Sequence, residues 1–281
     1  MEWAKDKRGK KEGVEKVAYF VGNIYSENMK QDTQLHVILP QDGRRYIWQE
    51  KPKTLVLLHG LSDNAATWVR RTAIERYAER YNLAVLMPEV QRSWYFDMVN
   101  GISAFSYITE ELPRIAEELF CLSVERENML IAGLSMGGYG ALRCALEAPG
   151  IYGYCGAFSG AYDLNDIVRI SKEKDAPVLL KDIENEIAPI TGGKDRVPKE
   201  ASIPEILQRC IVNGSDLPKV YMVCGTEDFL YHQTTNLRSV CEKKIKDFYY
   251  EEWPGIHEWN VWDKAIERML KLYLGEGRTD N

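Results

Sequence analysis

A chain of 281 residues, 45% of them hydrophobic, has room for one large domain or two small ones around a sizeable core. Its 36 basic and 42 acidic residues leave a formal charge of −6, which argues against a nucleic-acid-binding face and against a polybasic membrane anchor. The six cysteines form no CxxC pair and four sit in apolar stretches, so buried free thiols in a reducing compartment are expected.

The N-terminal stretch MEWAKDKRGKKEG mixes bases with acids. The apolar run behind it, VAYFV, is too short for a signal peptide or a membrane span, and a cytoplasmic location is expected. VAYFVG (17–22) and LHVILP (35–40) have no helix between them and read as antiparallel strands at a sheet edge. From residue 53 onward the pattern changes. TLVLLHG (54–60), LAVLMP (83–88), MLIAGLS (129–135), YGYCGAFSG (152–160), VYMVCG (220–225) and DFYYEEWPG (247–255) alternate with helix-like segments. The middle runs are continuously apolar, as parallel strands buried on both faces require. The helix-like segments are 64–81, 104–120 (with Pro113 starting or kinking it), 136–150, 235–245 and 260–274. Residues 161–216 break this rhythm. They are polar and charged, too long for a plain loop, and are expected to carry short helices, either as a cap-like lid insertion or as a solvated insertion with no role in substrate contact. The expected fold class is therefore α/β: a mostly parallel central sheet flanked by helices, in a single domain spanning 1–281.

Chemistry enters at Gly133-Leu134-Ser135-Met136-Gly137, a G-x-S-x-G motif between a buried-strand run and a helix-like run. A glycine-rich turn with an incidental serine is the plain alternative, and the flanks argue against it. A sharp strand-to-helix turn exposes the serine, and the helix N-terminus behind it favours an oxyanion. A serine hydroxyl needs a base, and the base needs an orienting acid. Of four histidines, His36 lies inside an early strand and His59 ends TLVLLHG beside a candidate oxyanion loop. His257, in the loop after the last strand, stands where the order Ser, acid, His puts the base, and His232 is its one competitor. The acid is sought after a late strand, where Glu227 and Asp228 both stand. Two backbone N–H groups would form the oxyanion hole, one from Met136 and one from Leu61 in HGLSDN. No HExxH or Cys/His cluster occurs, so neither a metal nor another cofactor is expected.

LLHGLSDNAATW, RSWYFDMVNG, IAGLSMGGYGALRCAL, FSGAYD, CGTEDFLY and GIHEWNVW together resemble the esterase D / tributyrin esterase family of α/β hydrolases. That group includes S-formylglutathione hydrolases, feruloyl and acetylxylan esterases, and the normally secreted antigen 85 mycolyltransferases. The resemblance runs from about residue 17 to residue 274 and implies an α/β-hydrolase fold. It implies Ser135 as nucleophile, His257 as base and Asp228, rather than Glu227, as acid, with Leu61 and Met136 as oxyanion donors. Trp259, in the family's HEW, is expected to wall the pocket, and Trp94 and Tyr95 to line the cleft from their loop. The expected activity is serine carboxylesterase action on short-chain acyl esters. Feruloyl or acetylxylan esterase action on oligosaccharides, S-formylglutathione thioesterase action and a catalytically silent binding protein are the alternatives. The expected partner is a small-molecule or oligosaccharide ester, with a homo-oligomer allowed but no interface readable.

Overall fold

The computed structural model describes residues 16–41, 48, 51–181, 183–193 and 197–277. The N-terminal stretch discussed above lies outside the described residues. The eight apolar runs become the eight strands of one sheet: β1 (Lys16–Ser26), β2 (Gln31–Gln41), β3 (Lys53–Leu58), β4 (Leu83–Pro88), β5 (Met129–Leu134), β6 (Tyr154–Phe158), β7 (Lys219–Gly225) and β8 (Phe248–Trp253). Their spatial order is β1-β2-β4-β3-β5-β6-β7-β8. β1 pairs antiparallel with β2, and β2 antiparallel with β4, whereas all later pairings are parallel. The continuously apolar strands are the central ones. Every residue of β4 and β5 is buried, while β8, at the far edge, is partly exposed along its length.

Alternation along a strand divides the core into two layers. In β3, Val56 and Leu58 face one layer and Leu55 and Leu57 the other. The second layer is closed by α1 (Thr67–Arg71), α2 (Ile74–Tyr81) and α10 (Trp259–Leu274), through Trp68, Ile74, Tyr77, Val261, Ile266 and Met269. The first is closed by α3 (Ala104–Ser106), α4 (Leu112–Phe120), α5 (Met136–Glu147), α6 (Leu164–Ser171), α7 (Ile183–Thr191), α8 (Ile203–Val212) and α9 (Tyr231–Lys244). This is an α/β-hydrolase arrangement of sheet and helices. Among the described residues no helix is long and apolar enough to cross a membrane.

Two helical readings change in detail. The single helix expected over 64–81 is broken between α1 and α2. There Thr72 Oγ1 donates to the Trp68 carbonyl (2.6 Å) and the Ala73 N–H donates to Asp263 Oδ1 of α10 (2.9 Å). Local polar partners thus replace the helical ladder. In 104–120 a π-helical turn, Tyr107–Glu111, joins α3 to α4 and places Pro113 just after the π-to-α junction. Residues 161–216 carry α6, α7 and α8 with two 3₁₀ turns, Val178–Leu180 and Lys199–Ala201.

Candidate active site

Strand β5 ends at Leu134 and α5 begins at Met136, which leaves Ser135 alone on the turn. Its φ of 54° and ψ of −120° lie in a region that costs a non-glycine residue about 1–3 kcal/mol unless its surroundings impose it. They do. The Ser135 N–H donates to the Phe158 carbonyl (2.9 Å), and the Ser135 carbonyl accepts from the N–H groups of Gly138 (3.0 Å), Tyr139 (3.1 Å) and Ala161 (3.3 Å). The flanking glycines answer a close approach of backbones. A Cβ on Gly133 would lie 2.2 Å from the Gly137 carbonyl oxygen, and one on Gly137 would lie 2.4 Å from that of Leu58.

The loops after β7 and β8 bring the other two groups to the serine. His257 Nε2 lies 3.0 Å from Ser135 Oγ, and His257 Nδ1 lies 2.9 and 3.1 Å from the two carboxylate oxygens of Asp228. An ionised carboxylate only accepts, so Nδ1 carries the proton and Nε2 is left to accept from the serine hydroxyl. The Asp228 side chain is fully buried, and its Oδ1 also accepts the Leu230 N–H (2.8 Å). Phe229 and Trp262 enclose the imidazole, with ring centroids 4.7 and 4.9 Å away.

The competing residues go elsewhere. Glu227 accepts the Gly255 N–H on its carboxylate and returns its own N–H to the Gly255 carbonyl (3.0 Å). It clamps the β7 loop to the loop that carries His257 without touching the imidazole. His232 is half-exposed and pairs with Asp166 (2.7 Å) beside a different cavity. His36 binds the Tyr19 hydroxyl and Gln34 Oε1 on the antiparallel strands.

His59 is buried beneath the loop that follows β3. Its Nδ1 lies 2.8 Å from the Gly60 carbonyl, and its Nε2 lies 3.2 Å from the Val90 N–H. The Gly60 carbonyl can only accept, so Nδ1 carries a proton directed at it. The Gly60 carbonyl also accepts the Asp63 N–H (3.2 Å). In a trans peptide the C=O and N–H point oppositely. Fixing the Gly60 carbonyl therefore fixes the direction of the Leu61 N–H. Met136 opens α5, so its N–H has no acceptor within the helix.

A cleft of about 170 Å³ lies over Ser135 and His257, walled by Leu61, Asp63, Leu179, Trp259 and Trp262 among others. Trp259 stands on that wall, edge-on to Trp68 and Trp262 at 5.3 Å each. Of the five wall residues just named, three escape sequence reasoning. Trp262 follows Trp259 by one helical turn on α10, a spacing that was legible. Asp63 sits inside the HGLSDN motif, where burial pushes its carboxyl above the ordinary value of 3.8. Leu179 belongs to the 161–216 segment, which carries no motif.

Trp94 and Tyr95 require a correction. They are 1% and 0% exposed, belong to the core layer that includes Tyr139, and do not line the cleft. The Tyr95 hydroxyl donates to the His59 carbonyl (2.8 Å), and burial drives its pKa well above the ordinary value. Both have positive φ.

A mostly parallel sheet with a hydrogen-bonded serine on its central strand-to-helix turn defines an α/β hydrolase. The sequence profile of the family described as "Putative esterase" matches residues 26–273. An acetyl esterase of Caldicellulosiruptor saccharolyticus is 31% identical over 262 residues, which cover 89% of this chain and 95% of that protein. Substrate-bound fluorophosphonate-binding serine hydrolase F of Staphylococcus aureus matches with a TM-score of 0.81 at 31% identity, covering 92% of this chain and 99% of that one. An S-formylglutathione hydrolase of the same organism matches with a TM-score of 0.77 at 31% identity and the same coverage. The chain belongs to this esterase family and is a carboxylic ester hydrolase.

Proposed function

We propose that this hydrolase is a serine esterase cleaving short-chain acyl esters, with Ser135 as nucleophile, His257 as base and Asp228 as orienting acid. The observation that carries this reading is the unbroken hydrogen-bonded chain from Asp228 through His257 to Ser135 beneath a small cleft. His257 Nε2 takes the serine proton as Oγ attacks the ester carbonyl. The Leu61 and Met136 N–H groups stabilise the tetrahedral oxyanion. The imidazolium then passes its proton to the leaving alcohol as the C–O bond breaks. Water, deprotonated by the same histidine, attacks the acyl-enzyme and releases the acid, returning the proton to Ser135. Asp228 holds the tautomer and stabilises the imidazolium without itself being protonated.

A cleft of about 170 Å³ walled by two tryptophans and Leu179 favours a short acyl group, and the acetyl esterase relative supports the same class. A thioesterase reading, action on S-formylglutathione, draws support from the Staphylococcus aureus hydrolase of that name. Feruloyl and acetylxylan action lose part of their footing, because Trp94 and Tyr95 are not available for stacking. The deciding measurement is kcat/KM for p-nitrophenyl acetate and butyrate, S-formylglutathione, methyl ferulate and acetylated xylo-oligosaccharides, on the wild type and Ser135→Ala. The short oxygen esters are expected to lead, and Ser135→Ala to be inactive and unlabelled by a fluorophosphonate probe. Near-normal p-nitrophenyl acetate turnover by Ser135→Ala would end the assignment.

A further inference from the structure

Arg92 projects from the loop after β4 and touches three separate pieces of chain. Its Nη1 donates to the Leu61 carbonyl (3.1 Å), on the oxyanion loop. Its Nη2 donates to the Leu179 carbonyl (3.3 Å), in the 3₁₀ turn Val178–Leu180. Its Nε and Nη2 both reach Glu186 Oε1 of α7 at 2.5 Å. Leu61 and Leu179 each line the cleft over Ser135. One guanidinium therefore joins the loop bearing an oxyanion donor to the segment that closes the cleft.

The base of this strap is firm. Ser93, Trp94 and Tyr95, the three residues after Arg92, are all buried. Glu89, just before it, binds the N–H groups of Gln91 (2.8 Å) and Ala65 (3.0 Å). The far end of α7 is docked on the same long loop, with the Asn100 N–H donating to the Pro189 carbonyl (3.0 Å) and the Val99 N–H to that of Ile190 (3.3 Å). The near end rests on Arg92. In the turn it holds, Val178 is 75% exposed and Leu180 is buried, which leaves Leu179 on the cleft wall.

We propose that Arg92 is a positioning residue that fastens the 164–212 segment to the oxyanion loop, and that Leu179, held by this strap, limits the acyl length the cleft accepts. The inference rests on the esterase reading above. Lysine cannot replace this arginine, because its three donors share one nitrogen, whereas the guanidinium reaches these acceptors from three nitrogens held in one plane.

The test is the ratio of kcat/KM for p-nitrophenyl hexanoate to that for the acetate, with kcat and KM resolved separately. Contact in a hydrophobic pocket discriminates by about ten- to two-hundredfold per methylene. Leu179→Ala is expected to raise the hexanoate-to-acetate ratio about tenfold or more, with acetate kcat little changed. Arg92→Met and Arg92→Lys are both expected to raise the ratio and to lower kcat for every acyl length by about tenfold, because the Leu61 loop is released as well. Arg92→Met combined with Leu179→Ala should raise the ratio no further than Leu179→Ala alone. Folded Arg92 variants with a wild-type ratio and kcat would overturn the proposal. So would a wild-type ratio in Leu179→Ala and Glu186→Gln, which keeps the proposal open to refutation if Arg92→Met does not fold. Fluorophosphonate labelling of Ser135 separates the two failures. An unlabelled wild type defeats the esterase mechanism, whereas a labelled enzyme with unmoved ratios defeats the strap alone.

Discussion

His257 Nε2 stands 3.0 Å from Ser135 Oγ although 122 residues separate them in the chain. Parallel order makes this contact: β5 delivers the serine and the loop after β8 delivers the histidine at the same, carboxyl, ends of the strands. The third member, Asp228, comes from the loop after β7, beside an adjacent carboxylate that binds the Gly255 N–H instead. On the proposed mechanism, Asp228→Asn lowers kcat by about 10⁴, the scale found when a triad aspartate can no longer fix the tautomer. Glu227→Gln is expected to lower it by no more than about tenfold, because the amide oxygen still accepts from Gly255. Steady-state kcat of both variants checks this, and the reverse order would move the acid role to Glu227.

His59 sets the direction of the Leu61 N–H through the Gly60 carbonyl, without reaching the cleft itself. Replacing it by phenylalanine keeps a flat ring but removes both the donor to Gly60 and the acceptor for Val90. Loss of one oxyanion donor costs about 10²–10³ in kcat, and His59→Phe is expected to fall at or just below that range. KM for p-nitrophenyl acetate should change little, since the oxyanion forms only in the transition state. A variant with normal kcat and raised KM would contradict this role.

The sheet and the tight turn at Ser135 were legible because each left a local mark. A fully apolar run marks a strand buried on both faces, and G-x-S-x-G marks a turn too tight for side chains at Gly133 and Gly137. The choice between Glu227 and Asp228 was not local. Both follow β7, and only the rotation of the loop against Gly255 separates them. Trp94 and Tyr95 were misread for a related reason. Aromatic residues in a loop look like cleft residues, but both rings pack into the core layer, and no composition rule reports that. Leu179 was invisible because its place depends on Arg92, 87 residues earlier in the chain.

Gly137→Ala tests the close packing of the serine turn. The added Cβ would lie 2.4 Å from the Leu58 carbonyl oxygen, a backbone atom of β3 that has no flexible end to swing away. Overpacking of this kind costs about 1–3 kcal/mol or more. A fall in Tm of several degrees is expected, together with a large loss of activity as Ser135 shifts. Gly150→Ala, where nothing lies within 4 Å of the added carbon, is the control and should be close to neutral. Differential scanning calorimetry on the pair gives the comparison, and equal Tm values would mean that β3 yields more easily than its burial implies.

Asp63 gives the pH dependence its clearest sign. Burial in the cleft wall is the largest influence on its carboxyl and raises its pKa above 3.8, only partly offset by His59 and by the Gly60 N–H. An acid whose folded pKa is raised binds its proton more tightly in the folded state. Its favourable share of stability is present below the unfolded value and is lost as pH climbs through the folded one. Asp63→Asn removes that titration and keeps an oxygen that can accept the Gly60 N–H, now 3.3 Å from the carboxylate. The difference in Tm between Asp63→Asn and the wild type should therefore be smallest below pH 3.8. It should move in favour of the variant as pH rises and become constant once the folded carboxyl is fully ionised. Taking the difference cancels the titrations that the two proteins share. A gap that closes with rising pH would mean that the carboxylate is stabilised in its charged form, and that its hydrogen bond and the nearby imidazoles outweigh burial.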